Sequence, residues 1–156
     1  MRLFLCIITI SLLNSVSFAQ STSVSDEIKA MILNDQKLAN EKNEQVLNYS
    51  EAGALEFWSS GGLLYSVTND MLVNRFDDLN LQAKHIEVTS IAGGQAAVAM
   101  YYNEGSLKPQ NGAAIGHYLT RITQVFVKEN DEWVIVASHF SPVTGGSGTS
   151  QTSTDN

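Results

Sequence analysis

The stretch Arg121-Ile122-Thr123-Gln124-Val125-Phe126-Val127-Lys128-Glu129-Asn130-Asp131-Glu132-Trp133-Val134-Ile135-Val136-Ala137-Ser138-His139-Phe140-Ser141 decides the fold. Two runs rich in β-branched and aromatic residues flank an acidic, polar turn at Glu129-Asn130-Asp131, which is the signature of an antiparallel hairpin. The first run reaches back to Ile115, so the pattern predicts strands over 115–128 and 132–140. Side chains alternate across a strand. Tyr118, Thr120, Ile122, Gln124 and Phe126 therefore share one face, and His117, Leu119, Arg121, Thr123, Val125 and Val127 the other. On the second strand Val134, Val136, Ser138 and Phe140 oppose Trp133, Ile135, Ala137 and His139. Both faces are partly apolar, so neither is a plain solvent face. One is expected to cover a pocket under the helices. Periodicity alone does not say which.

Working upstream, Gly93-Gly94 separates two further runs of period two, predicting strands over 82–91 and 95–102 joined by a tight turn. Gly105, Pro109 and Gly112 make 103–113 a predicted loop. Ahead of the sheet the period is helical. Val24, Ile28, Met31, Ile32, Leu38, Ala39 and Val46 recur at helical spacing, with Ser23 and Asp26 as a start signal, predicting one long helix over 23–48. A short helix over 50–58, a strand over 63–67 and a helix over 69–79 follow, the first of these weakened by Gly53. Helices followed by a curved antiparallel meander form an α+β class: a sheet rolled into a cone and wrapped by N-terminal helices.

The ends read differently. Arg2, the apolar run 3–13 and small residues at Ser17 and Ala19 form a secretory signal pattern over 1–19, with cleavage expected after Ala19. The run is too short to span about 30 Å of hydrocarbon, so no stable membrane anchor is expected after cleavage. Cleavage removes Cys6, the only cysteine, and leaves a secreted or periplasmic chain with no disulfide. The tail 144–156, TGGSGTSQTSTDN, has the composition of a flexible Gly/Ser/Thr segment. The folded domain is then 23–143. A net charge of −7 argues against nucleic acid and against an anionic membrane surface.

The terminal run resembles a motif of the nuclear transport factor 2-like superfamily: R-x-T, a β-branched and aromatic stretch, an acidic turn, then W followed by H-x-S, here Arg121, Thr123, Trp133, His139 and Ser141. Its nearest branches are the polyketide-cyclase-like (SnoaL-type) domains and the association domain of calcium/calmodulin-dependent kinase. The resemblance extends over 27–141 and implies a cone-shaped, cystatin-like roll with an internal pocket and a homodimer. It places Tyr102, Tyr118, Gln124, Ser138 and Phe140 in the pocket. Tyr102, Gln124 and Phe140 stand where the kinase association domain has arginines, so an anion-binding pocket does not carry over.

Trp58 and Tyr65 flank Gly61-Gly62 and are candidates for the pocket rim, against ordinary core packing. Arg121, His139 and Ser141 form a candidate polar cluster, structural or catalytic according to whether a carboxylate lies near. Asp35 and Lys42 lie near the apolar stripe of the first helix and can reach a pocket mouth. Glu87, Glu104 and Asp70 are weaker acid candidates. His85, His117 and His139 are widely spaced and make no HxH or HExxH, so no metal and no cofactor is expected. Asn48-Tyr49-Ser50 is a glycosylation sequon. Two functions stay open. One is an exported small-molecule-binding or assembly module with a mostly apolar pocket. The other is a cofactor-independent isomerase, cyclase or hydratase acting next to a carbonyl. No catalytic residue is identifiable from the sequence.

Overall fold

The computed structural model describes residues 23–71 and 74–143. The signal pattern over 1–19 and the tail 144–156 lie outside the described residues. Helix α1 (Val24–Lys42) precedes strands β1 (Ala54–Phe57), β2 (Tyr65–Val67), β3 (Phe76–Ile91), β4 (Ala96–Pro109), β5 (Ile115–Glu129) and β6 (Glu132–Pro142). They form one six-stranded sheet in the order β2-β1-β6-β5-β4-β3. All neighbours are antiparallel except β1 and β6. The architecture is α+β, as expected, but among the described residues one α-helix, not several, lies on the inner face of the sheet.

Helix α1 starts where its caps put it. The Ser23 hydroxyl accepts from the Asp26 backbone N–H at 3.2 Å and donates to the Asp26 carboxylate at 2.7 Å. It ends earlier than the predicted 48. Asn43 turns left-handed at φ 53, its carbonyl accepts from Phe76 N–H and its side-chain oxygen from Leu79 N–H. The residue that stops the helix thus also fixes where β3 begins.

The two other predicted helices are not helices. Gly53 has φ +88, and a Cβ there would sit 2.9 Å from the Val67 carbonyl, so the chain at this point is a close approach and not a helical turn. Ala54, Leu55, Glu56 and Phe57 then alternate between buried and exposed as β1. The predicted strand 63–67 is the shorter β2. Most of the predicted helix over 69–79 is the turn at Asn69, whose side chain pairs with the Tyr49 backbone, followed by the start of β3. Residues 72–73 lie outside the described set. Buried Leu79 and Leu81 alternate with exposed neighbours at period two, and that alternation outweighs helical spacing once β4 lies alongside.

The predicted loop over 103–113 is largely strand. β4 runs to Pro109, and Gly105 serves a crossing: its φ is +152, and a Cβ would lie 2.0 Å from the Asn80 carbonyl oxygen. The hairpin between β5 and β6 turns at Asn130 (φ 51) and Asp131 (φ 66), two left-handed residues as a tight two-residue turn requires. One departure matters for function. Val125 pairs with Ala137 and Phe126 with Ile135, so Val136 is an extra residue in β6. The bulge reverses parity. Trp133 and Ile135 therefore share the inner face with Ser138 and Phe140, and the unbroken alternation expected from the sequence is corrected.

The core forms where α1 crosses the sheet. Ile28 and Ile32 meet Ala97, Ala99, Ile122, Phe126 and Ile135, all buried. The two alanines are fully buried and small, which lets the helix come close. Trp133 Nε1 donates to Glu27 at 2.8 Å, and Lys128 Nζ stands 3.6 Å from the same carboxylate and 4.9 Å from the indole centroid. These contacts pin the first turn of α1 to the β5–β6 hairpin.

Candidate functional site

Toward the other end of α1 the helix and the sheet diverge, and a cavity of about 570 Å³ opens between them. That size suits a small organic molecule. Met31, Ile32 and Ala39 of α1 form one wall; Leu79, Leu81, Leu107, Phe126, Ile135 and Phe140 form the sheet side. Polar side chains interrupt this apolar surface at several points, Gln36, Gln45, Asn74 and Gln110 among them, and three arrangements stand out.

The first is a hydrogen-bond chain across three strands. Tyr101 on β4 donates to Gln124 Oε1 on β5 at 2.8 Å, and Gln124 Nε2 lies 3.5 Å from Ser138 Oγ on β6. Burial, then the negative charge of Asp35, raises the pKa of the Tyr101 hydroxyl. Asp35 lines the cavity from α1, and burial raises the pKa of its carboxyl. The second is Glu56 of β1, only 2% exposed. Its Oε1 accepts from the Tyr49 hydroxyl at 3.2 Å and its Oε2 from Trp58 Nε1 at 2.9 Å. Burial and the adjoining Glu56 carboxylate raise the pKa of Tyr49. The third is Tyr118, whose hydroxyl lies 3.1 Å from Ser59 Oγ. Arg75 also lines the cavity, with its Nε 2.9 Å from Glu44.

Of the residues singled out in the sequence, Tyr118, Gln124, Phe140 and Trp58 line this cavity. Ser138 sits behind Gln124 as its hydrogen-bond partner. Tyr65 stacks on Trp58, with ring centroids 4.4 Å apart and planes 10° from parallel, and backs the wall without lining it. Tyr102 is a correction. It lies on the opposite face, 40% exposed, in register with Lys84 and Arg121, and its neighbour Tyr101 occupies the inner face. Arg121, His139 and Ser141 also lie on the outer face. Arg121 is opposite Ser141, and His139 packs edge-on against Phe57 with centroids 5.5 Å apart. No hydrogen bond joins these three among the described residues, so they are not a site for proton transfer inside the cavity.

Among the weaker candidates, Asp35 reaches the cavity, Glu87 is an exposed outer-face residue and Glu104 is paired with Lys84 at 2.7 Å. The Asp70 carboxylate takes a hydrogen bond from Thr68. In the sequon the acceptor Asn48 is exposed, its amide donating to the Trp133 carbonyl at 3.4 Å, while the Ser50 hydroxyl is buried and donates to Glu129 at 2.7 Å. No group of three His, Cys, Asp or Glu side chains arranged to hold a metal occurs among the described residues.

Glu56, Tyr101 and Tyr49 were not legible as site residues. Glu56 lies in Ala-Leu-Glu-Phe, whose Ala, Leu and Glu are good helix formers. The signal that could have found it is Gly53 directly ahead of an alternating apolar and polar run.

A family model for the SnoaL-like domain matches residues 41–145. No curated protein sequence matches the chain. Among solved structures, the hub homology domain of calcium/calmodulin-dependent kinase II from Chlamydomonas reinhardtii is similar with a TM-score of 0.55 and 17% identity, over 79% of this chain and all of that one. A nuclear transport factor 2-like superfamily protein from Salmonella enterica serovar Typhimurium is similar with a TM-score of 0.54 and 22% identity, over 82% of this chain and 97% of that one. A cystatin-like protein from Caulobacter vibrioides matches with a TM-score of 0.52 and 16% identity, over 77% and 89%. With the matching model covering more than half of its length, the chain belongs to the SnoaL-like domain family, and it shares the fold of the nuclear transport factor 2-like protein from Salmonella.

Proposed function

We propose that this chain binds a small, mostly apolar organic molecule in the cavity beneath α1. We propose further that it does so as an exported protein, cleaved after Ala19, that pairs with a second copy through the outer face of its sheet. The observation that carries the binding reading is the cavity itself: about 570 Å³, walled by aliphatic and aromatic side chains, with a few fixed polar groups to orient a ligand. Pairing is supported by the outer face, where Leu55, Phe57 and Met100 are each 45% exposed or more. Met100, Thr123, His139 and Phe57 lie in one row across four strands, giving a contiguous half-apolar surface. Export is supported by the sequence pattern over 1–19 alone.

A second reading, a cofactor-independent enzyme moving a proton next to a carbonyl, is favoured by one observation. Asp35 is a cavity carboxylate with a pKa raised by burial, close enough to Tyr101 to act on its ionisation. One titration addresses both. Acetophenone is added to the ¹⁵N-labelled protein in D₂O-containing buffer, and the amide spectrum and the ligand's α-protons are followed together. Binding is expected to shift amides of α1, Gln124 and Phe126, and to be lost in a folded Ala39→Phe variant that fills the cavity. Shifts confined to the outer face, or unchanged by Ala39→Phe, would contradict the binding reading. Protein-catalysed exchange of the α-protons, lost in Asp35→Asn, would establish the enzyme; bound ketone without exchange would leave the binding module.

A further inference from the structure

The charges around the cavity are one-sided. Asp35 and Glu56 both line it, whereas no lysine or histidine does among the described residues. Arg75, which also lines it, is already engaged by Glu44 at 2.9 Å. Glu56 is 2% exposed and has no cationic side chain within ion-pair distance among the described residues; only the neutral donors Tyr49 and Trp58 reach it. Each carboxylate oxygen can accept more than one hydrogen bond, so both retain capacity toward the cavity. Asn103 also lines the cavity, and its side-chain oxygen is buried with no partner among the described residues. Among the described residues the interior thus offers neutral donors, such as the amides of Gln36, Gln45 and Gln110, but no free positive charge to match its two carboxylates. A buried carboxylate without a counter-charge is costly, and these groups stand among the rings of Trp58, Tyr101, Phe126 and Phe140, whose faces attract cations.

We propose that the molecule taken up by this cavity carries a protonated amine: an ammonium group met by Asp35 and Glu56, on an apolar, ring-sized body held by the aromatic walls. The inference rests on the reading of the cavity as a binding site and names the chemical class it selects. An ammonium supplies the positive charge that Glu56 and Asp35 lack, and an N–H donor for the unpartnered Asn103 oxygen. An anion of the same shape would add a third negative charge to the same enclosed volume. The net charge of −7 on the whole chain draws cations toward it and repels anions.

The test is calorimetric titration of the full chain at pH 7 and constant ionic strength with three probes of matched size: 2-phenylethylamine, 2-phenylethanol and 3-phenylpropanoate. The amine is expected to bind about tenfold more tightly than the alcohol, with the carboxylate weakest. Glu56→Gln and Asp35→Asn are each expected to weaken the amine severalfold and to change the alcohol much less, so that the gap between the two narrows. Gln is a mild change at 56, because its oxygen can still accept from Trp58 while the Tyr49 hydroxyl turns to accept from its amide. Alcohol or carboxylate binding as tightly as the amine would overturn the inference while leaving the cavity a binding site. An amine preference untouched by both variants would overturn it too, since the cation would then sit elsewhere. Failure of all three probes to bind would overturn the binding reading and this inference together.

Discussion

Asp35 shows how a single cavity residue couples function to stability. Its ordinary pKa is 3.8, and burial raises it in the folded chain. Between the two values the unfolded chain gives up its proton first, so stability falls as pH rises through that window, and below it the group has no effect. Asp35→Asn removes the penalty. Thermal melts are expected to show a higher Tm for the variant at pH 7 and no difference at about pH 3; an equal shift at both would mean that the charge is not what burial opposes. Glu27 has the opposite sign. The hydrogen bond from Trp133 holds its pKa down, with Lys128 assisting, so its contribution is present above its ordinary value of 4.5 and is lost as acid protonates it. At this scale the sequence was partly legible. Alternation along β5 correctly grouped Tyr118, Gln124 and Phe126 on one face, because β5 runs without an extra residue from Tyr118 to Val127, the bulge at Val136 lying on β6. It could not tell Tyr101 from Tyr102, since adjacent tyrosines present one ring to each side and only the position of α1 decides which is inside.

Elements were legible where local signals and tertiary pairing agree, as in the β5–β6 hairpin and the start of α1. They were misread where pairing overrides propensity. β1 is written in helix-forming residues and is held as a strand by β2 and β6 on either side. The far half of β4 carries loop-like Gly105 and Pro109 but is paired on both sides. Gly105 makes that pairing possible, with Asn80 backbone lying against the place where a Cβ would be. Gly105→Ala is expected to cost at least about 2 kcal/mol in denaturant unfolding. Gly93→Ala, at a site with nothing within 4 Å, should cost about 1 kcal/mol from its left-handed backbone alone. Equal losses would mean that the β3–β4 crossing is looser than described. The bulge at Val136 belongs to this scale as well. It brings Trp133 to Glu27 on one side and Ser138 to Gln124 on the other, and nothing in a run of alternating apolar residues announces the extra one.

For the whole molecule, the sheet has two unlike faces. The inner one closes on α1 at one end, where Ala97 and Ala99 allow close contact, and stands away from it at the other, leaving the acidic, aromatic cavity. The outer one carries a half-apolar row, Met100, Thr123, His139 and Phe57, across neighbouring strands. The proposed function assigns a small ligand to the first and a second copy to the second. Native mass spectrometry of the protein recovered from its own host examines both at once. The expected spectrum is a two-subunit assembly of chains beginning at Gln20, carrying a small organic adduct that gentle activation releases as a basic molecule. Single subunits without adduct, and without uptake of added 2-phenylethylamine or 2-phenylethanol, would contradict the claim that the cavity beneath α1 is a binding site.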